Sequence, residues 1–292
     1  MDALELLRLN LFSLPMLFFA LGFTLALILA RVDPKDPRRS GFLLVGYWLI
    51  GLGFAGGKAL ATTPLPEVQG PALVALVLGL TPLLFIRPGL MITVHVTAPA
   101  CAFLAAEAFT QAAQAPAEGT LASLVVFLVG AVIAVLWLAA RRNPSTAARE
   151  ALNELNESET VPLAMLLVGF FIGLLWPKAP EELFSKSFDE LLVLLILPGA
   201  LAARGLLELR RTEAFSIGLG IAISFLQGGL GVWLGGLAGL SVGGAAVLGA
   251  MAANAFYVRT SPASLSHLGL ALLFNLTLGI PIYYALSRWL NG

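Results

Sequence analysis

Pro15-Met16-Leu17-Phe18-Phe19-Ala20-Leu21-Gly22-Phe23 returns as Pro162-Leu163-Ala164-Met165-Leu166-Leu167-Val168-Gly169-Phe170, and Leu49-Ile50-x2-Gly53-x4-Lys58-x-Leu60 returns as Leu195-Ile196-x2-Gly199-x4-Arg204-x-Leu206. Both echoes lie about 147 residues apart, close to half of the 292-residue chain. Self-similarity at one long period means one structural unit used twice. Each unit holds about five apolar runs, an odd number, so the second copy is expected to enter a bilayer upside down. Many secondary transporters are built this way, with the substrate site near the midplane between the copies.

Hydrophobic residues make up 59% of the chain and charged residues 12%, and the mean hydropathy is +0.91. That leaves too little polar surface to cover a water-soluble globule, so the chain is expected to be an integral membrane protein. Lysines and arginines balance aspartates and glutamates at zero net charge, and no basic stripe interleaves with aromatics, which excludes nucleic acid as a partner. Cys101 is the single cysteine, which rules out an internal disulfide and fits a small apolar packing residue. The first residues carry Asp2 and Glu5 against Arg8, unlike the positive start of a secretory signal, so the first apolar run is read as a retained span.

Membrane-length apolar runs occur near 11–30, 42–61, 71–86, 90–113, 121–140, 161–176, 187–206, 214–237, 242–258 and 265–290. They lack the period-two alternation of a membrane barrel, so the expected fold is all-α, with about ten transmembrane helices in two inverted five-helix repeats. The repeats are placed at 1–140 and 161–292, joined by a polar linker at 141–160. Positive residues gather in the odd connections: Arg31, Lys35, Arg38 and Arg39; Arg87; Arg141, Arg142 and Arg149; Arg204, Arg210 and Arg211; and Arg259. By the positive-inside rule these connections and the linker face the cytoplasm of a cell membrane, and both termini face outside. Trp137, Trp176, Trp233 and Trp289 fall near span ends, where an aromatic belt places them.

A transporter needs polar groups at depth, and these come from spans broken by Gly, Pro or short polar residues. The fourth and ninth runs fit best. The fourth carries Thr93-Val94-His95-Val96-Thr97-Ala98-Pro99, and the ninth opens at Ser241-x-Gly243-Gly244 and runs on to Asn254 and Tyr257. The candidate ligands of a small anion and a coupling ion are therefore Thr93, Thr97, Ala98, Pro99, Ser241, Gly243, Gly244, Asn254 and Tyr257, with Thr97 and Asn254 as candidate sodium ligands. If both runs break and cross, half-helix N-termini would face the anion while carbonyls and hydroxyls suit sodium. The same small residues also serve close helix packing. His95 is either a ligand or proton carrier or a hydrogen-bonded neutral group. Lys58 and Arg204 either snorkel to the interface or draw the anion inward, and Asn275 either caps a neighbouring broken helix or lines the cavity.

The stretches Pro15 to Gly22, Gly53-Phe54-Ala55-Gly56-Gly57, Ser241-x-Gly243-Gly244-Ala245-Ala246, Ala252-Ala253-Asn254-Ala255-Phe256-Tyr257 and Phe274-Asn275-x3-Gly279-Ile280-Pro281-Ile282-Tyr283, in this order, resemble the sodium-dependent bicarbonate symporters of the SbtA family. The resemblance implies a ten-helix protomer of inverted repeats with core and gate domains, assembled as a homotrimer. It implies sodium-coupled bicarbonate uptake, shut from the cytoplasm by a PII-like regulatory protein, and a substrate region in the fourth and ninth runs. The chain departs from the family pattern there: His95 to Cys101 replaces a Gly- and Ser-rich stretch, and Asn254-Ala255-Phe256-Tyr257 replaces Ser-Ala-Ser-Tyr.

The expectation is a secondary active transporter that takes up a small anion, bicarbonate first, with sodium as coupling ion and no organic cofactor. A monocarboxylate symporter is the nearest alternative, and a non-transporting sensor or intramembrane enzyme on the same scaffold is the other. No His-Glu-x-x-His, phosphate-binding loop or paired intraspan carboxylates support an enzyme.

Overall fold

The computed structural model describes residues 2–29, 38–81, 91–94, 97–117, 160–178, 192–208, 214–259 and 266–291, with positions 120, 123, 124, 126, 127 and 130, all helical, between them. The linker at 141–159, His95, Trp137 and most of the fifth run lie outside the described residues.

The chain enters through α1 (Ala3–Leu11), a short helix ahead of the first expected span. Asp2 and Glu5 fix its start: the Asp2 carboxylate accepts from the Glu5 amide at 2.7 Å, and the Glu5 carboxylate accepts from the Asp2 amide at 2.9 Å. After a 58° bend the chain continues as α2 (Leu14–Leu29), with Pro15 in the first turn, where its missing N–H costs nothing. On α2 Leu17, Leu21, Leu25 and Ile28 are exposed while Met16 and Phe19 are buried. An apolar face turned outward at helical spacing is the surface of a helix in lipid.

There follow α3 (Arg38–Thr62), α4 (Leu65–Gly79), strand β1 (Met91–Val94) and α5 (Thr97–Ala112). In the second half α6 (Thr160–Leu175) precedes a 3-10 turn, Leu192–Leu195, that runs into α7 (Ile196–Glu208). Then come α8 (Ala214–Leu237), α9 (Val242–Ala253), strand β2 (Phe256–Arg259), and α10 (Ser266–Phe274), which passes through a π-turn, Asn275–Gly279, into α11 (Ile280–Asn291). Among the described residues, Gly218–Leu237 and Gly269–Asn291 are long and apolar enough to cross a membrane singly, and α1 with α2 forms a third, bent, candidate span. Trp176, Trp233 and Trp289 are exposed near helix ends, which suits an interfacial belt.

The architecture is helical as expected, with one addition: the fourth and ninth runs each hold a short strand as well as a helix, and β1 pairs with β2 antiparallel, Thr93 opposite Tyr257 and Val94 opposite Phe256. Ile92, Thr93, Val94, Tyr257 and Val258 are β-branched or aromatic and favour extended backbone. The pairing satisfies N–H and C=O groups that a broken span would otherwise leave bare.

The echoed glycines are where the two halves touch. A carbon added at Gly53 would overlap the Leu166 carbonyl and the Phe170 amide of α6; at Gly169 it would overlap the Ile50 carbonyl of α3. Gly57 and Gly173 repeat this one turn on, against Phe170 and Phe54. The same exchange joins α2 and α7, with Gly22 on the Ile196 carbonyl and Gly199 on the Phe19 carbonyl. Lipid supplies no hydrophobic force between helices, so close backbone approach at small residues is what holds these pairs. As residue numbers rise from Gly53 to Gly57, the contacts rise from Leu166 to Phe170 and Leu174, so α3 and α6 run in the same direction.

Replacing Gly53 by Ala should force α3 from α6 and destabilise the detergent-solubilised protein by about 1–3 kcal/mol. Gly218, an exposed helical position where an added carbon meets nothing within 4 Å, should accept Ala with no loss. Paired thermal melts of the two variants check this, and equal melting temperatures would contradict it. Asn10 donates to the Leu276 and Thr277 carbonyls, both at 2.8 Å, where the π-turn frees them from regular helix bonding. Asn10→Leu should therefore lower stability by about 1–3 kcal/mol in the same assay.

Candidate functional site

Two helices end at the ribbon. The chain leaves β1 and enters α5 at Thr97, whereas α9 finishes at Ala253 and passes through Asn254 and Ala255 into β2. Because Val94 sits opposite Phe256, the start of α5 and the end of α9 lie side by side. At their other ends the Ser241 hydroxyl donates to the Pro116 carbonyl at 3.1 Å, just beyond the last turn of α5, so the two helices are antiparallel. Among the described residues the junction thus joins one helix N-terminus, with partial positive charge, to one helix C-terminus, with partial negative charge. The fourth run goes from strand to helix and the ninth from helix to strand, so among the described residues the expected half-helix N-termini are represented at the junction by α5 alone.

The candidate residues divide between two places. Thr97, Ala98 and Pro99 form the buried first turn of α5, Asn254 is fully buried at the end of α9, and Thr93 and Tyr257 face each other in register on the ribbon. Ser241, Gly243 and Gly244 start α9, and a helix of its length sets them about 18 Å from Asn254. The Ser241 oxygen accepts from the Gly244 amide at 3.1 Å and caps the helix. Gly243 lies against the Ala115 carbonyl. This end is closed by the chain that follows α5, so the structure does not bring it to the junction.

Asn254 belongs to a chain of buried hydrogen bonds. Its Nδ2 donates to the Ala250 carbonyl at 2.8 Å, one turn back in α9. Asn275 Nδ2 donates to the Ala253 carbonyl at 3.2 Å and to Asn254 Oδ1 at 3.3 Å, and the Tyr283 hydroxyl donates to Asn275 Oδ1 at 3.0 Å. Of the two roles open to Asn275, capping a broken helix is the one these bonds perform. The π-turn that begins at Asn275 widens the helix there, and Tyr283 closes over Gly228, where an added carbon would overlap its ring. The network fixes the end of α9 against α10 and α11. Buried polar groups satisfied in this way hold one geometry, since each bond broken in lipid is costly.

Further buried polar groups escaped the sequence reading. Ser224 and Gln227, three apart on α8, are 1% and 6% exposed. Among the described residues neither Ser224 Oγ nor Gln227 Oε1 has a hydrogen-bond partner. Their only sequence signal is a pair of polar residues inside an otherwise apolar run. Tyr283 was quoted solely for the resemblance. The Cys101 sulfur lies 3.5 Å from the Leu194 carbonyl, buried, as a packing residue would. Glu107, bonded to Gln111 at 3.4 Å, stands ten residues beyond Thr97, about 15 Å along α5, and takes no part in the junction. No cluster of three His, Cys, Asp or Glu exists among the described residues.

No curated protein matches this chain. The family model of the Na+-dependent bicarbonate transporter superfamily matches residues 15–288, from the start of α2 to the last turns of α11, and the chain belongs to that superfamily.

Proposed function

We propose that this protein is a secondary active transporter that couples sodium entry to uptake of bicarbonate by alternating access, with both solutes held at the junction of α5 and α9. The observation that carries this reading is the unlike pair of helix ends meeting beside a two-stranded break. The first turn of α5 offers an anion the positive end of its dipole, and the C-terminal end of α9 offers a sodium ion the negative end of its own. Two opposite charges held side by side stabilise each other, so binding of one favours the other, which is the coupling a symporter requires.

The protein is read as ten spans in two oppositely inserted copies, 1–140 and 161–292, with linker 141–160 in the cytoplasm and both termini outside. Support comes from the parallel course of α3 and α6. Neighbouring spans of one copy alternate in direction, so the second helix of one copy and the first of the other run alike only when the copies are inverted. The reciprocal glycine contacts of α2 with α7 and α3 with α6 are those of a pseudo-two-fold pairing. A homotrimer in the cell membrane, regulated by a PII-like protein and performing no catalysis, completes the family-based reading.

In proteoliposomes an inward sodium gradient should drive uptake of labelled bicarbonate, and replacing sodium by choline should abolish it. Uptake of labelled acetate that sodium drives, with none of bicarbonate, would establish the monocarboxylate alternative and overturn this reading. Thr97→Val and Asn254→Ala should each cut sodium-driven uptake at least about tenfold, the loss expected for one hydrogen-bonding group in a buried site. Ser241→Ala should alter uptake less than either, because Ser241 caps the far end of α9.

A further inference from the structure

We propose that Ser224 and Gln227 of α8 supply ligand oxygens for the sodium ion, completing from a third helix a subsite that the C-terminal end of α9 begins with the negative pole of its dipole. The proposal rests on the transport reading above and adds to it the residues that hold the coupling ion.

The position of both residues follows from how α8 packs. Gly235 meets Ala245, Gly231 meets Gly249 and Ala252, and the Gly228 carbonyl lies 2.8 Å from where a side chain on Gly249 would begin. The two helices are therefore antiparallel, turned by the left-handed Gly239 (φ 81°). Ser224 lies one turn from Gly228 and two from Gly231, on the side that meets α9. Gln227 lies one turn from Gly231. Continued by one turn, the register sets both at the level where α9 gives way to β2, and α8 also packs along β2. On the opposite flank Ile221 packs against the buried cluster of Ala98, in the first turn of α5, with Ala271 and Leu272 of α10. Ser224 thus falls between a residue that packs on this cluster and one that touches the end of α9.

The chemistry follows from what these atoms lack. A carboxamide oxygen and a hydroxyl that are more than nine-tenths buried, with no donor in reach, are expensive in a membrane protein and call for an occupant. An anion is the wrong occupant for the acceptor-only Gln227 oxygen near a helix C-terminus, whereas the Ser224 hydroxyl can turn its lone pairs to a cation. A hard monovalent cation fits, since it takes neutral oxygens and is favoured by the negative end of the α9 dipole. Asn275 and Tyr283 hold that helix end in place, so the subsite exists before the ion arrives.

The test is the thermal stability of the purified, detergent-solubilised protein titrated with sodium chloride at ionic strength held constant by choline chloride. A ligand that binds the folded state raises its melting temperature in proportion to occupancy. The wild type should melt higher as sodium rises. In Gln227→Leu and in Ser224→Ala the half-saturating sodium concentration should increase at least about fivefold. In choline alone both variants should melt no lower than wild type, because each removes a buried oxygen that had no donor. A purely structural pair would give the reverse pattern, with lower melting in choline and an unchanged sodium response, and that result overturns the proposal. A wild type indifferent to sodium overturns it too. Should Gln227→Leu fail to fold, Ser224→Ala, which deletes one oxygen, decides alone. Titration needs no transport, so the two claims can fail separately. Wild-type sodium response through these residues without bicarbonate uptake sinks the transport reading, and sodium-driven uptake with unaltered sodium dependence in both variants sinks this one.

Discussion

Every backbone N–H and C=O carried to the depth of the hydrocarbon must find a partner within the protein, and the fourth and ninth runs of this chain each pass between helix and strand. The ribbon of β1 and β2 meets that demand by pairing the two breaks with each other. From it follows the rest of the site. Pairing sets the start of α5 beside the end of α9, and antiparallel packing then ties the far ends together at Ser241 and Pro116. Asn275 closes the last carbonyl of α9, and the π-turn and Asn10 hold Asn275 in its place. A polar centre inside a lipid-facing shell is stable only because its members are bonded in sequence from one helix to the next.

Around this centre the two halves are clasped by glycine. Gly22, Gly53, Gly169 and Gly199 bring main chain against main chain between the halves, apart from the junction of α5 and α9. Rigid contact in one place and a polar junction in another suits a carrier in which one bundle moves against the other.

Much of this was legible in the sequence. The echo of Gly22 with Gly169 and of Gly53 with Gly199 marked the residues that join the halves, since only close approach makes a glycine necessary at the same place twice. The fourth and ninth runs were distinguishable by Pro99, the Gly-rich opening at Ser241 and the buried Asn254. Hydropathy could not reveal that the broken segments pair as strands, because an apolar β-branched run reads equally as buried helix. Nor could it reveal that Ser241 and Asn254 stand at opposite ends of one helix with only the latter at the junction: a helix carries its two ends about 18 Å apart, and sequence proximity hides this. Ser224 and Gln227 went unread because two polar residues in a glycine-rich apolar helix resemble packing residues until their burial and lack of partners are known.

The central claim is that an anion and a sodium ion share the junction of α5 and α9. Density maps of the protein prepared in sodium bicarbonate and in choline chloride test it most directly. The account predicts new density in the sodium bicarbonate map between the first turn of α5 and the last carbonyls of α9, bounded by Thr97, Asn254, Ser224 and Gln227. A junction unchanged between the two maps, with solute density at the Ser241 end of α9 instead, would contradict it.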